Sequence, residues 1–284
     1  LAMSAPPERR GWYAMLGQLG APIGFIVAAA LFLFLHLSLS SEDFLDWGWR
    51  YPFYVAFAIN VVALFARLRL VITPEYTELL DARKLEPTPV REMLRTQGYN
   101  IFIGAFAALA SYALFHLVTV FPLSWAKLHT TQTLEHVLFM QILGAFLAIV
   151  AMAVSGAVAD KLGRRTTLGG TACLIAVYSG FTPMLLGGGS TSLSTFILVG
   201  FVLLGLSYGQ AAGAVTANFA SRFRYTGAAL TADVAWIVGA AFAPLVALGL
   251  STQFGLFSVS LYLLSGAACT LGALSINRMI ERKD

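Results

Sequence analysis

Eight stretches of this 284-residue chain are apolar enough and long enough to cross a bilayer as helices. They lie near 16–39, 51–70, 100–122, 135–158, 166–186, 194–217, 226–250 and 256–276. A spanning helix needs roughly 17–25 such residues. Inside hydrocarbon every backbone amide must be satisfied by the chain itself, which leaves helices or closed barrels. No stretch alternates with period two over ten-residue segments, which argues against a barrel. The expected fold class is therefore an all-α integral membrane protein with eight transmembrane helices. Composition agrees. Hydrophobic residues make up 58% of the chain and charged residues only 11%, whereas a soluble domain carries about a quarter charged residues.

The cations give an orientation. Sixteen of the 18 Lys and Arg fall on one side of the expected topology, and only Arg50 and Lys127 fall on the other. Positive loops stay in the cytoplasm, so both termini are expected inside. The net charge of +4 then faces the anionic cytoplasmic leaflet, not nucleic acid. Cys173 and Cys269 both lie within apolar spans and imply no disulfide framework. The segment 71–99, with Pro74, Pro87 and Pro89, is the one long polar connection. It contains an amphipathic piece around residues 90–97. It divides an expected two-helix unit, 1–70, from a six-helix unit, 100–284. Six-helix halves made of two inverted three-helix repeats are a common construction unit of transporters.

Between the fourth and fifth spans the chain reads Gly156-Ala157-Val158-Ala159-Asp160-Lys161-Leu162-Gly163-Arg164-Arg165. A turn glycine, an acid and three cations between two apolar helices form a membrane hairpin with a cytoplasmic loop. This pattern resembles the loop signature of the major facilitator superfamily. Three further stretches resemble its metabolite:proton symporter family. The first is Ala5-Pro6 with Arg9-Arg10-Gly11, leading into Gln18-Leu19-Gly20-Ala21-Pro22-Ile23-Gly24. The second is Trp47-Gly48-Trp49-Arg50-Tyr51-Pro52-Phe53. The third is Arg222 with Arg224-Tyr225-Thr226-Gly227, followed by Ala243-Pro244-Leu245.

The resemblance covers nearly the whole chain. It implies that the spans are helices five to twelve of twelve: the last two helices of an N-terminal half plus a complete six-helix C-terminal half. Helices one to four have no counterpart, so an N-terminal truncation is expected. Two departures stand out. Ile72-Thr73-Pro74 replaces the family's Glu-Ser/Thr-Pro, and Asp233 stands where the family usually has an amide.

The resemblance gives the loop motif (Gly156, Asp160, Lys161, Gly163, Arg164 and Arg165) a gating role. The motif's acid fastens the two halves in one access state, and pseudo-symmetry places the partner near residues 11–14. The alternative is a topogenic loop whose arginines bind lipid phosphates. Asp233 is the one carboxylate well inside a span. A carboxylate there costs about 2.5–3.5 kcal/mol to insert, so it needs a cavity or a partner. Proton or substrate handling stands beside pairing with Arg222 or Arg224. Tyr112, His116 and Thr119 are spaced i, i+4, i+7 and share one helix face. His116 is a second proton-coupling candidate, with a helix–helix hydrogen bond as the alternative. Tyr112, Thr119, Gln141, Tyr208, Gln210 and Asn60 are candidates for a substrate cavity, although polar groups in spans also serve as helix–helix contacts. His36, Glu135 and His136 read as interfacial residues. Gly205, Gly209 and Gly213 form a small-residue ladder for close helix packing, and Pro22 and Pro244 are bend candidates.

Gly205-Leu206-Ser207-Tyr208-Gly209 matches a nucleophile elbow by letters, but it lies within a span and not at a strand-to-helix turn. Metal, nucleotide and redox motifs are absent from the sequence, so neither an enzyme nor a cofactor is expected. The expected function is secondary active transport, as proton-coupled symport of a small polar metabolite such as an organic acid or a betaine-like zwitterion. The substrate class comes from the resemblance alone. The alternative is a truncated, non-transporting fragment or a membrane scaffold that needs a partner chain. The expected surroundings are a cell membrane crossed many times, a small metabolite and protons.

Overall fold

The computed structural model describes residue 6 and residues 9–71, 90–216, 219, 223–241 and 243–281. All the described elements are helical. In chain order they are α1 (Arg10–Leu16), α2 (Gly20–Ser38), α3 (Ser41–Asp46), α4 (Tyr51–Val71), α5 (Val90–Ala107), α6 (Leu109–Thr119) and α7 (Phe121–His129). Then follow α8 (Leu134–Leu162), α9 (Arg164–Gly187), α10 (Ser190–Thr216), α11 (Arg224–Trp236), α12 (Ala243–Phe254) and α13 (Leu256–Glu281). Seven helical runs among the described residues are long and apolar enough to cross a membrane. The bent pair α5–α6 makes an eighth if it is counted as one span.

The eight expected spans all correspond to helical runs, but several ends move. The first run begins at Arg10 and is interrupted at residues 17–19. The amphipathic piece at 90–97 is the opening of α5 itself and not a separate element of a loop. Pro22 stands at the third and Pro244 at the second position of a new helix, both within its first turn. There the missing N–H is no loss and the fixed φ suits the first turn. A π turn, Ile237–Ala241, precedes α12. Most of the central connection, residues 72–89, lies outside the described residues, as do Arg222 and Asn218.

The bend of 41° between α5 and α6 has no proline to explain it. Thr270 of α13 causes it. Its hydroxyl accepts from the Ala110 amide at 3.0 Å and donates to the Phe106 carbonyl at 3.2 Å. Residues 106 and 110 would bond each other in a straight helix, so Thr270 is inserted into the ladder. Thr270→Val keeps the shape and leaves two buried groups unpaired, at about 1–3 kcal/mol. Thermal unfolding in detergent should show that loss for valine, and Thr270→Ser should retain wild-type stability.

The core lies where α8, α9, α10 and α13 pack together, with α5, α6 and α11 against them. Helices α8 and α10 approach closely at Gly205. A Cβ there would sit 2.4 Å from the Ala148 carbonyl oxygen and 2.8 Å from the Ala151 Cβ. Gly209 of the same ladder faces Ser155 and Met15. The first two spans are different. Only 11% and 6% of their apolar windows are buried, against 31–50% for the later spans. Helix α4 touches α2 and the short turn before it, and Phe57, Val62 and Phe65 are open on its surface.

Candidate functional site

The loop motif is built by the meeting of α8 and α9. Gly163 joins the two helices with φ +85°, a conformation that side-chain-bearing residues rarely adopt. This turn leaves Asp160 in the last turn of α8 and starts α9 at Arg164. Asp160 reaches across to the first turn of α1. Its Oδ1 accepts from the Gly11 amide at 2.6 Å and its Oδ2 from the Trp12 amide at 3.2 Å. These amides have no partner within their own helix, so an acceptor in the facing helix satisfies them.

Three more contacts tighten this junction. Arg164 donates to the Arg10 carbonyl. Gln210 of α10 donates to the Gly11 carbonyl at 3.3 Å and is fully buried. Gly156 allows the backbones to meet, since a Cβ on it would lie 3.2 Å from the Trp12 Cα and 3.0 Å from the Met15 Cγ. Arg165 turns the other way and donates to the Leu274 carbonyl of α13. Lys161 is exposed. Thus the structure gathers Gly156, Asp160, Arg164 and Gln210 around one end of α1. Gln210, expected from sequence beside Tyr208 as a cavity candidate, donates within this junction.

At the opposite end of α8, a second contact ties it to α2. Glu135 pairs with His36 at 2.9 Å, and His136 meets Ser194 at 3.1 Å. His36 and Glu135, read from sequence as interfacial, are partners. Helix α8 is therefore fastened at both ends to the α1–α2 run.

Midway along the bundle, five rings converge. Tyr112, Phe115 and His116 come from α6, Tyr208 from α10 and Trp236 from α11. Trp236 lies 4.7 Å from Tyr112, 5.3 Å from Phe115 and 5.9 Å from His116 between centroids, mostly edge to face. Tyr208 meets Tyr112 and Phe115, each at 5.8 Å. Edge-to-face pairs of this kind add about 0.5–1.5 kcal/mol each beyond their buried area. The Nδ1 of His116 is buried without a partner among the described residues. Asp233 lies one turn before Trp236 and is open at the surface of α11. Just beyond Trp236 the helix enters its π turn, a distortion frequent at functional sites.

The other candidates stand elsewhere. Thr119 donates to the Phe115 carbonyl of its own helix at 2.7 Å. Gln141 is fully buried and holds the end of α6, donating to the carbonyls of Val118 at 2.9 Å and Thr119 at 2.6 Å. Asn60 bonds the Ala56 carbonyl at 3.0 Å and lines an apolar groove between α2 and α4. Sequence reasoning missed Phe115 and Trp236, because aromatic residues in an apolar span look like packing until their neighbours are known.

The family pattern described as Major Facilitator Superfamily matches residues 1–233. The inner membrane metabolite transport protein YhjE of Escherichia coli (strain K12) is 34% identical over 95% of this chain and 63% of its own length. The shikimate transporter of the same organism is 27% identical, over 96% of this chain and 63% of its own length. The citrate-proton symporter of Klebsiella pneumoniae is 27% identical over 90% of this chain and 57% of its own length. The chain thus spans less than two thirds of the length of these relatives. No solved structure matches it. With transporter relatives, helices long and apolar enough to cross a membrane and the loop motif in place, the chain belongs to the Major Facilitator Superfamily.

Proposed function

We propose that this chain forms the moving part of a proton-coupled secondary transporter for a small polar metabolite, such as an organic acid or a betaine-like zwitterion. Residues 1–70 supply two helices of one half and residues 100–284 supply the other half, with both termini and the Asp160 loop in the cytoplasm. The observation that carries this reading is the pair of hydrogen bonds from Gly11 and Trp12 to Asp160. They join residues 149 and 148 positions apart in the chain, at one end of a helix pair that His36 and Glu135 fasten at the other. Rocking of one half against the other about a midplane site requires one of these fastenings to open while the other holds. Asp160 is the cytoplasmic lock. Asp233 and His116 carry the coupling proton near the midplane.

Transport requires further helices from a longer polypeptide or a partner chain. The near-complete exposure of α4 supports this, as does an amide, Asn60, set in the α2–α4 groove. Uptake into proteoliposomes tests the whole reading. A preparation with the four additional helices present should accumulate a radiolabelled organic acid such as citrate when a pH gradient is imposed. The 284 residues alone should not. Uptake by the 284 residues alone overturns the need for further helices. A substrate panel that gives no uptake in either preparation overturns the transport reading.

A further inference from the structure

Helix α1 covers a polar seam between α8 and α10, both of which it touches. Met15, on its last turn, is only 2% exposed. A Cβ added at Gly209 of α10 would lie 3.5 Å from the Met15 Cβ and 3.2 Å from the Ser155 Oγ. The Ser155 hydroxyl therefore faces the place where the three helices meet. Ser155 is fully buried, and its Oγ has no hydrogen-bond partner among the described residues. Other buried serines of the bundle bond back to their own helix. Ser179 donates to the Ala176 carbonyl at 2.6 Å and Ser207 to the Leu204 carbonyl at 3.2 Å.

Gln210 follows Gly209 along α10 and is also fully buried. Its Nε2 is spent on the Gly11 carbonyl of α1 at 3.3 Å. The Oε1 of the same amide is without a partner among the described residues. Two polar oxygens are thus shut in beneath the stretch of α1 that Asp160 holds by its first turn. A polar group taken from water into a packed interior without a partner opposes the burial. The bonds to Asp160 favour the covered seam, and these two oxygens favour an uncovered one.

We propose that Ser155, together with the Gln210 Oε1, is a counterweight to the Asp160 lock. Both oxygens regain water when α1 lifts from α8 and α10, so they draw the junction toward its open state. This inference rests on the reading of the junction as a lock that opens. It adds a sign of its own. Removing the Asp160 carboxylate opens the junction, whereas removing the Ser155 hydroxyl closes it. A serine that served only to hold the helices together would have the opposite effect.

The ratio of open to closed junction is read by pulsed electron–electron resonance on the full chain in lipid nanodiscs. Nitroxide labels stand at Arg9 and Lys161, with Cys173 and Cys269 replaced. Asp160→Ala should show a longer distance beside the short one. Adding Ser155→Ala to that variant should lower the open-to-closed ratio by about tenfold, the effect of one unpaired buried hydroxyl. A longer distance in Asp160→Ala with a ratio that Ser155→Ala leaves unchanged or raises overturns the counterweight and leaves the lock standing. The absence of any longer distance in Asp160→Ala overturns the lock, and the counterweight with it.

Discussion

Asp160→Ala is expected to release the Asp160-bound end of α1 from α8 and shift the access equilibrium by up to about 100-fold. The size follows from the contact. Two amides donate to one carboxylate, and a hydrogen bond to a charged group contributes about 1.5–3 kcal/mol. The Trp12 bond is exposed to water and counts for less, so losing both removes up to about 3 kcal/mol, and each 1.4 kcal/mol is about tenfold. The contacts from Arg164 to Arg10 and from Gln210 to Gly11 remain, so the junction loosens without dissolving. Asp160→Asn should lie between wild type and alanine, because one amide oxygen can still accept. Alkylation of a cysteine placed at Trp12 reads the change from the cytoplasmic side. It should be slow in the wild-type background, faster in asparagine and fastest in alanine.

The second large effect is expected at Asp233. On the proposed coupling role, Asp233→Asn keeps the shape and removes the carboxylate assigned to carry the proton, so pH-driven accumulation should vanish while exchange of substrate across the membrane persists. A gradient of one pH unit supplies about 1.4 kcal/mol per proton, about tenfold in solute concentration. The variant should therefore fall from that ratio to equal concentrations on both sides. Undiminished pH-driven uptake would transfer the coupling role away from Asp233. His116→Asn is the matching experiment, and loss of coupling there with Asp233 intact would assign the proton to the histidine.

The spans were legible in the sequence because a bilayer imposes a length and a composition that few other structures share. The loop motif was legible because its charges interrupt two apolar helices. Bends were less so. A proline in a span announces a break, yet Pro22 and Pro244 stand just after interruptions and the α5–α6 bend comes from Thr270, one hydroxyl among many. Polar residues inside spans gave no address. Gln210 and Gln141 both looked like cavity residues, yet one holds Gly11 and the other the end of α6. Their sequence signal is the same, since a buried amide must find a partner and only the fold says which. Trp236 and Phe115 carried no signal at all, because a ring within an apolar run is what packing alone would require.

The lock itself is tested most directly by a distance measurement across it. Nitroxide labels at Arg9 and Lys161, both exposed beside the junction, can be placed after Cys173 and Cys269 are replaced. Pulsed electron–electron resonance should give one short, narrow distance in the wild-type background, and a second, longer population should dominate in Asp160→Ala. An unchanged narrow distance in the alanine variant would contradict the assignment of Asp160 as the cytoplasmic lock.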